Sequence, residues 1–161
     1  MKKKIKVFVS YARANRNLAT RFLEKFREQV AASKKYNYIF WQDTKILVGE
    51  EWHDEIQEAL KEFDMGLLLI SPAFLGSQYI NKHELPKLMR SAKLLIPIML
   101  QQVDFERHDL KGLRRSQIFR LHSQRFQTPK AYGDCIGSQR DRFAQSLFRE
   151  VELRLDKLLE N

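Results

Sequence analysis

The chain has 161 residues, 43% of them hydrophobic and 30% charged, which fits one globular domain with a full core and argues against a disordered chain. Lys and Arg number 29 against 20 acids, a net charge of +9, and seven of those cations fall between Arg107 and Lys130 beside one Asp. No apolar run reaches the length of a membrane span, MKKKIKVFVS lacks a signal-peptide core, and a single Cys135 excludes an internal disulfide, so a soluble cytoplasmic domain, or a soluble piece of something larger, is expected. A basic stripe attracts nucleic acid, phosphorylated ligands or acidic protein faces. No finger spacing or aromatic ribonucleoprotein strand accompanies it, and specific nucleic-acid binding is not expected.

The elements alternate along the chain. Ile5 to Val9 (IKVFV) reads as a first strand, β-branched and aromatic, closed by the loop Ser10-Tyr11-Ala12-Arg13. Asn15 is a plausible cap for a helix whose apolar face carries Leu18, Ala19, Phe22, Leu23, Phe26 and Val30. Tyr38 to Trp41 (YIFW) is a second strand. The loop QDTKILVGEE follows, and Trp52, Ile56, Ala59, Leu60 and Phe63 mark a second helix with acids in its first turn.

Met65 to Ile70 is an uninterrupted apolar run, the pattern of a strand buried on both faces. Ser71-Pro72 stops it, and a polar loop leads to Glu84. Pro86 is tolerated near a helix start, so the next helix is expected to begin near His83–Leu85 and to bury Leu85, Leu88, Met89 and Ala92. Leu94 to Leu100 is a fourth strand, with Pro97 arguing for imperfect pairing. Gln117 to Leu121 is a candidate fifth, edge strand. Residues 124–137 read as loop. Ser138 then caps a final helix, about 138–159, with Phe143, Leu147, Val151, Leu155 and Leu158 as its stripe.

This order predicts an α/β fold: a single domain over 1–161, flavodoxin-like and three-layered, with a five-stranded parallel sheet in the order 2-1-3-4-5 and helices on both faces. The switch point of that order lies between strands one and three. The loops Ser10–Arg13 and Ser71–Glu84 then wall the ligand crevice, and Glu84 falls there by topology.

Three stretches in order carry a family resemblance: VFVSYAR (Val7–Arg13), WQDTKILVGEEWHDEIQEAL (Trp41–Leu60) and LLLISPAFLGSQYINKHEL (Leu67–Leu85). The sequence resembles a TIR (Toll/interleukin receptor) domain of bacterial type, over Ile5 to about Leu121. Many such domains are NAD⁺ glycohydrolases, and the resemblance places the catalytic glutamate at Glu84. It implies cleavage of the nicotinamide–ribose bond to give nicotinamide and a linear or cyclic ADP-ribose, in bacterial defence or virulence signalling. NAD⁺ is then the substrate, and no cofactor or metal is implied.

The chemistry suits one carboxylate. Glycosidases usually need a second one to protonate the leaving group. Nicotinamide in NAD⁺ is already cationic and leaves neutral. An ionised carboxylate orients the ribose hydroxyls and stabilises oxocarbenium-like charge, and a helix N-terminus favours that ionised form. By position, Ser10 and Arg13 line the first loop, with Arg13 a candidate for the pyrophosphate. Trp41 and Asp43 end strand two, the indole being a candidate for base stacking. Tyr79 and Asn81 lie beside Glu84. One departure is Ile80, where several active members carry an aromatic. The resemblance also implies self-association with other TIR domains through a BB loop at Lys45, Ile46, Leu47, Val48, Gly49 and Glu50.

Plainer readings stand beside these. Glu84 also suits a helix-dipole partner, Trp41 a partly buried core residue, and Arg13 a surface cation. Ser71 reads as a turn residue without a nucleophile elbow. The four His residues show no metal-ligand spacing. A phosphoacceptor receiver on the same fold fails, because acids are absent after strands one and three. A non-catalytic TIR docking module remains the competing reading.

Overall fold

The computed structural model describes residues 1–41, 60–91 and 93–160. Asp43, the loop Lys45–Glu50, most of the expected second helix (Trp52 to Ala59) and Ala92 lie outside them. Four parallel strands form one sheet in the order β2-β1-β3-β4: β1 (Lys3–Ser10), β2 (Tyr36–Trp41), β3 (Met65–Ile70) and β4 (Leu94–Met99). The strand order is as expected for these four.

Alternation across the pleat sorts side chains to two faces. Ile5, Val7, Val9, Met65, Leu67, Leu69, Ile96 and Ile98 share one core with α1 (Arg16–Ala31) and the final helix. Phe8, Leu68, Ile70 and Met99 share the other with α2 (Pro72–Gly76), α3 (Leu85–Ser91) and Leu60 and Phe63. All six residues of β3 are buried, as a central strand covered on both faces must be. Gly66 lies on it where an added Cβ would sit 3.1 Å from Leu95 Cδ1 and 3.4 Å from Leu88 Cδ2.

The sheet has four strands among the described residues, not the expected five. The Gln117–Leu121 segment is reduced to one parallel bridge, Ile98 to Phe119. Phe119 donates its N–H to Pro97 O (2.8 Å) and accepts from Met99 N–H (2.9 Å). Pro97 has no N–H to make the preceding rung. On the other side Leu121 turns away and exchanges both backbone bonds with Lys130 at 2.9 Å. Pairing is therefore blocked in both directions from one residue. Phe119 still closes the core, edge-on to Phe143 at 5.1 Å between centroids.

The helix ends differ from expectation at two places. The last helix, α4 (Ser138–Leu159), buries Phe143, Leu147, Val151 and Leu155 but leaves Leu158 41% exposed, and Gly137 rather than Ser138 is its N-cap. The helix before β4 starts earlier than Pro86 suggests. Gln78 and Tyr79 are already helical, Ile80–Glu84 form a π turn, and α3 continues without a break. The π turn, with Leu85 N–H bonded to Ile80 O, widens the helix just ahead of Pro86, where no N–H is available for a regular ladder. Leu85 and Leu88 are buried as expected. Met89, about 100° further round the helix, is 43% exposed instead.

Candidate functional site at the carboxyl ends of the strands

Ser10 ends β1 beside Leu68 of β3, on the face that α3 covers. Glu84 ends the π turn. Ile80, Glu84 and Leu88 follow one another every four residues, so the carboxylate lies on the helix's buried stripe, with its neighbour Leu85. Ser10 Oγ donates a hydrogen bond to Glu84 Oε1 at 2.8 Å. Ser10 is 1% exposed and Glu84 7%. A carboxylate this deep needs such donors, because an unpaired buried charge costs several kcal/mol or neutralises. The helix starts at Gln78, six positions earlier. Glu84 is thus not the N-terminal acid expected from Pro86, and the dipole argument, confined to a first turn, does not apply to it.

A second polar chain ties the neighbouring loops. Ser71, fully buried at the end of β3, caps α2 by accepting Phe74 N–H at 3.0 Å. Its hydroxyl donates to Asn15 Oδ1. Asn15 Nδ2 donates in turn to Gln101 Oε1 at 3.0 Å. Gln101 follows β4, where its N–H and that of Leu100 both bond Ile70 O. Asn15 is the N-cap residue of α1 by position but makes no side-chain cap bond, because its amide serves this bridge. The loops after β1, β3 and β4 are therefore pinned together. Nothing in the local sequence marks Asn15 and Gln101 for this role, since their partners lie 56 and 86 positions away.

The other expected site residues divide. Arg13 is exposed on a 3₁₀ turn, Arg13–Asn15, in the connection after β1. Trp41 is half-buried, with its indole stacked on Phe8 at 5.3 Å and 12°. One indole face is thus engaged by the core. Tyr79 is half-buried and its ring lies 4.8 Å from that of His83. Asn81 does structural work: its Nδ2 donates to Leu75 O (2.8 Å) and Ser77 O (2.7 Å), joining α2 to the next helix. Its Oδ1 is buried with no hydrogen-bond partner among the described residues. The structure brings Ser10 and Glu84 into contact, whereas Asn81 is hydrogen-bonded to the preceding backbone and Trp41 stacks one face on Phe8. Asp43 and Lys45, Ile46, Leu47, Val48 and Gly49 fall outside the described residues. Among those described, no group of three or more His, Cys, Asp or Glu side chains is placed to hold a metal ion. No helix among them is long and apolar enough to cross a membrane.

A parallel sheet wrapped by helices, with polar residues gathered where its strands end, defines an α/β domain of the kind that binds ligands at the topological switch. The chain belongs to the TIR domain family, whose sequence pattern matches residues 7–133. That family includes NAD⁺-cleaving members, and its domains commonly bind one another. The chain is also similar to the uncharacterized protein y4lF of Sinorhizobium fredii, at 30% identity over 104 residues. The match covers 62% of this chain and 31% of that protein, so the chain spans about a third of that relative's length.

Proposed function

We propose that this TIR domain cleaves NAD⁺ at the nicotinamide–ribose bond, with Glu84 as the catalytic carboxylate. The observation that carries the reading is the Ser10–Glu84 contact at the carboxyl ends of β1 and β3. In this reading the C–N bond breaks with its electron pair passing to the pyridinium nitrogen, and nicotinamide leaves neutral. Positive charge develops on the ribose carbon and ring oxygen, and Glu84 stabilises it while holding the ribose hydroxyls. Water then attacks that carbon and loses a proton, giving ADP-ribose. Attack by an adenine nitrogen of the same molecule gives the cyclic product. Ser10 holds the carboxylate in one orientation, so little reorganisation is needed as charge develops. Arg13 and Tyr79 are assigned to the substrate, and Trp41 offers at most the indole face turned away from Phe8. Self-association with other TIR domains through Lys45–Gly49, and a cytoplasmic setting, belong to the same proposal.

The burial of Glu84 also favours a second reading. A carboxylate 7% exposed and bonded to Ser10 serves equally as a tie between β1 and the α3 helix in a non-catalytic docking module. The test is NAD⁺ consumption by concentrated wild type beside Glu84→Gln, with products separated chromatographically. The amide retains an oxygen acceptor for Ser10, so folding is kept while the charge is removed. Nicotinamide release that disappears in Glu84→Gln supports the enzyme, and the co-product separates hydrolysis from cyclisation. Absence of turnover by assembled wild type would leave the docking module.

A further inference from the structure

Phe105 lies in the loop after β4, half-buried against the core that α2 and α3 cover. Two arginines converge on its ring. The Arg115 guanidinium carbon is 4.6 Å from the ring centroid and that of Arg120 is 5.1 Å. The two charges therefore lie within about one Debye length, roughly 10 Å at 0.1 M salt. Neither forms an ion pair with a carboxylate among the described residues. Asp104, the nearest acid before the ring, instead accepts the N–H groups of Glu106 and Arg107.

This is an unbalanced arrangement. Phe105 offers both cations its π face, which offsets part of their repulsion. It offers no hydrogen-bond acceptor, and Arg120 Nε is buried without one. Burial and the neighbouring Arg115 charge both hold the Arg120 guanidinium below its ordinary pKa. Arg120 is only half-buried and Arg115 is exposed, so two neighbouring guanidiniums without a carboxylate partner among the described residues are open to an anion with several acceptor oxygens. Guanidinium forks match phosphate oxygens in geometry and charge better than any other side chain does.

We propose that Arg115 and Arg120, braced on Phe105, form a binding site for the phosphate group of a phosphorylated small molecule. The ring is already covered by the guanidiniums, so it does not stack a base. Recognition is of the phosphate, supplied either as a free polyphosphate or by a nucleotide. The proposal does not depend on NAD⁺ cleavage.

The experiment is a calorimetric titration of the full chain at low salt with inorganic pyrophosphate and, separately, with ADP. The variants are Arg115→Gln, Arg120→Gln, Glu84→Gln and Arg142→Gln, the last lining a different basic cleft with Arg125 and Lys130. Saturable pyrophosphate binding is expected in wild type. It should weaken at least about tenfold in Arg115→Gln and Arg120→Gln, as befits lost charge-assisted bonds, and stay unchanged in Glu84→Gln and Arg142→Gln. Arg115 is exposed, so its variant reports even where Arg120→Gln fails to fold. Equal affinity for ADP supports the phosphate alone as ligand, and tighter ADP binding with the same variant pattern supports a nucleotide. Equal weakening in Arg142→Gln would reduce the effect to diffuse charge and overturn the proposal. So would absence of saturable binding, or binding of both probes lost only in Glu84→Gln.

Discussion

Ser10 and Glu84 are 74 positions apart and meet at 2.8 Å in a place that is almost closed to water. β1 delivers the hydroxyl at its last residue. The π turn before Pro86 delivers the carboxylate on the apolar stripe of its helix. Removing either partner has separable consequences for stability and for chemistry.

Ser10→Ala leaves the Glu84 carboxylate without this donor in a buried setting. A loss of about 1–3 kcal/mol in stability is expected from deleting a buried hydrogen bond to a charged group. Urea unfolding of the variant measures it. If the NAD⁺-cleaving reading holds, kcat falls more than KM rises, because orientation of the carboxylate matters most as charge develops. A variant as stable as wild type would show that the bond adds nothing.

Asn81→Ala tests whether this amide serves the fold or the substrate. It removes the two bonds to Leu75 O and Ser77 O, and the expected cost is about 1–3 kcal/mol. If the NAD⁺-cleaving reading holds, KM for NAD⁺ changes little at a temperature where the variant is folded. An unchanged melting point with a raised KM would return Asn81 to the substrate.

Tyr38 and Tyr36 bond Glu152 and Asp156 of α4 at 2.6 and 2.7 Å, tying β2 to the last helix. Burial, followed by these carboxylate partners, pushes both phenols well above the ordinary value of 10.0. Their contribution is complete below pH 10 and declines above it, because the unfolded chain then loses phenol protons that the folded chain keeps. Asp156 runs the other way. Its bonds to Tyr36 and Lys35 hold its pKa below 3.8, so its contribution is present above that pH and is lost as the pH falls. Urea midpoints between pH 8 and 11.5 should drop for wild type and drop less for Tyr38→Phe.

Gly66→Ala probes the close approach of α3 to the sheet. The new methyl meets Leu95 Cδ1 at 3.1 Å in a strand that is wholly buried. Destabilisation of about 1–3 kcal/mol is expected from overpacking, read as a lowered melting temperature. Pairing it with Leu95→Ala should relieve part of the cost if that contact is the cause.

Much of the frame was legible in the sequence. Unbroken apolar runs and four-residue stripes marked the four strands, α1 and α4, because these patterns report which faces a segment must bury. The fifth strand failed for a reason that was half visible. Pro97 signalled faulty pairing, but the diversion of Leu121 to Lys130 is a contact between loops, which no periodicity encodes. Pro86 marks a helix boundary in sequence, whereas in the structure a π turn accommodates it inside a continuous helix. α2, only five residues long, is too short to show a helical period.

The candidate site divides in the same way. Sequence alone determined that Glu84 and the Ser10 loop lie at the carboxyl ends of neighbouring parallel strands, because strand order follows from alternation and chirality. The TIR pattern in three spaced stretches was likewise local. Only the tertiary structure decided that Glu84 is buried on the helix stripe, that Ser10 is its donor, and that Asn15 links Ser71 to Gln101. The same is true of the two arginines on Phe105. Hydrogen bonds and charge pairs of this kind join residues tens of positions apart. Their geometry depends on how helices seat on the sheet, and close packing, not local propensity, sets that seating.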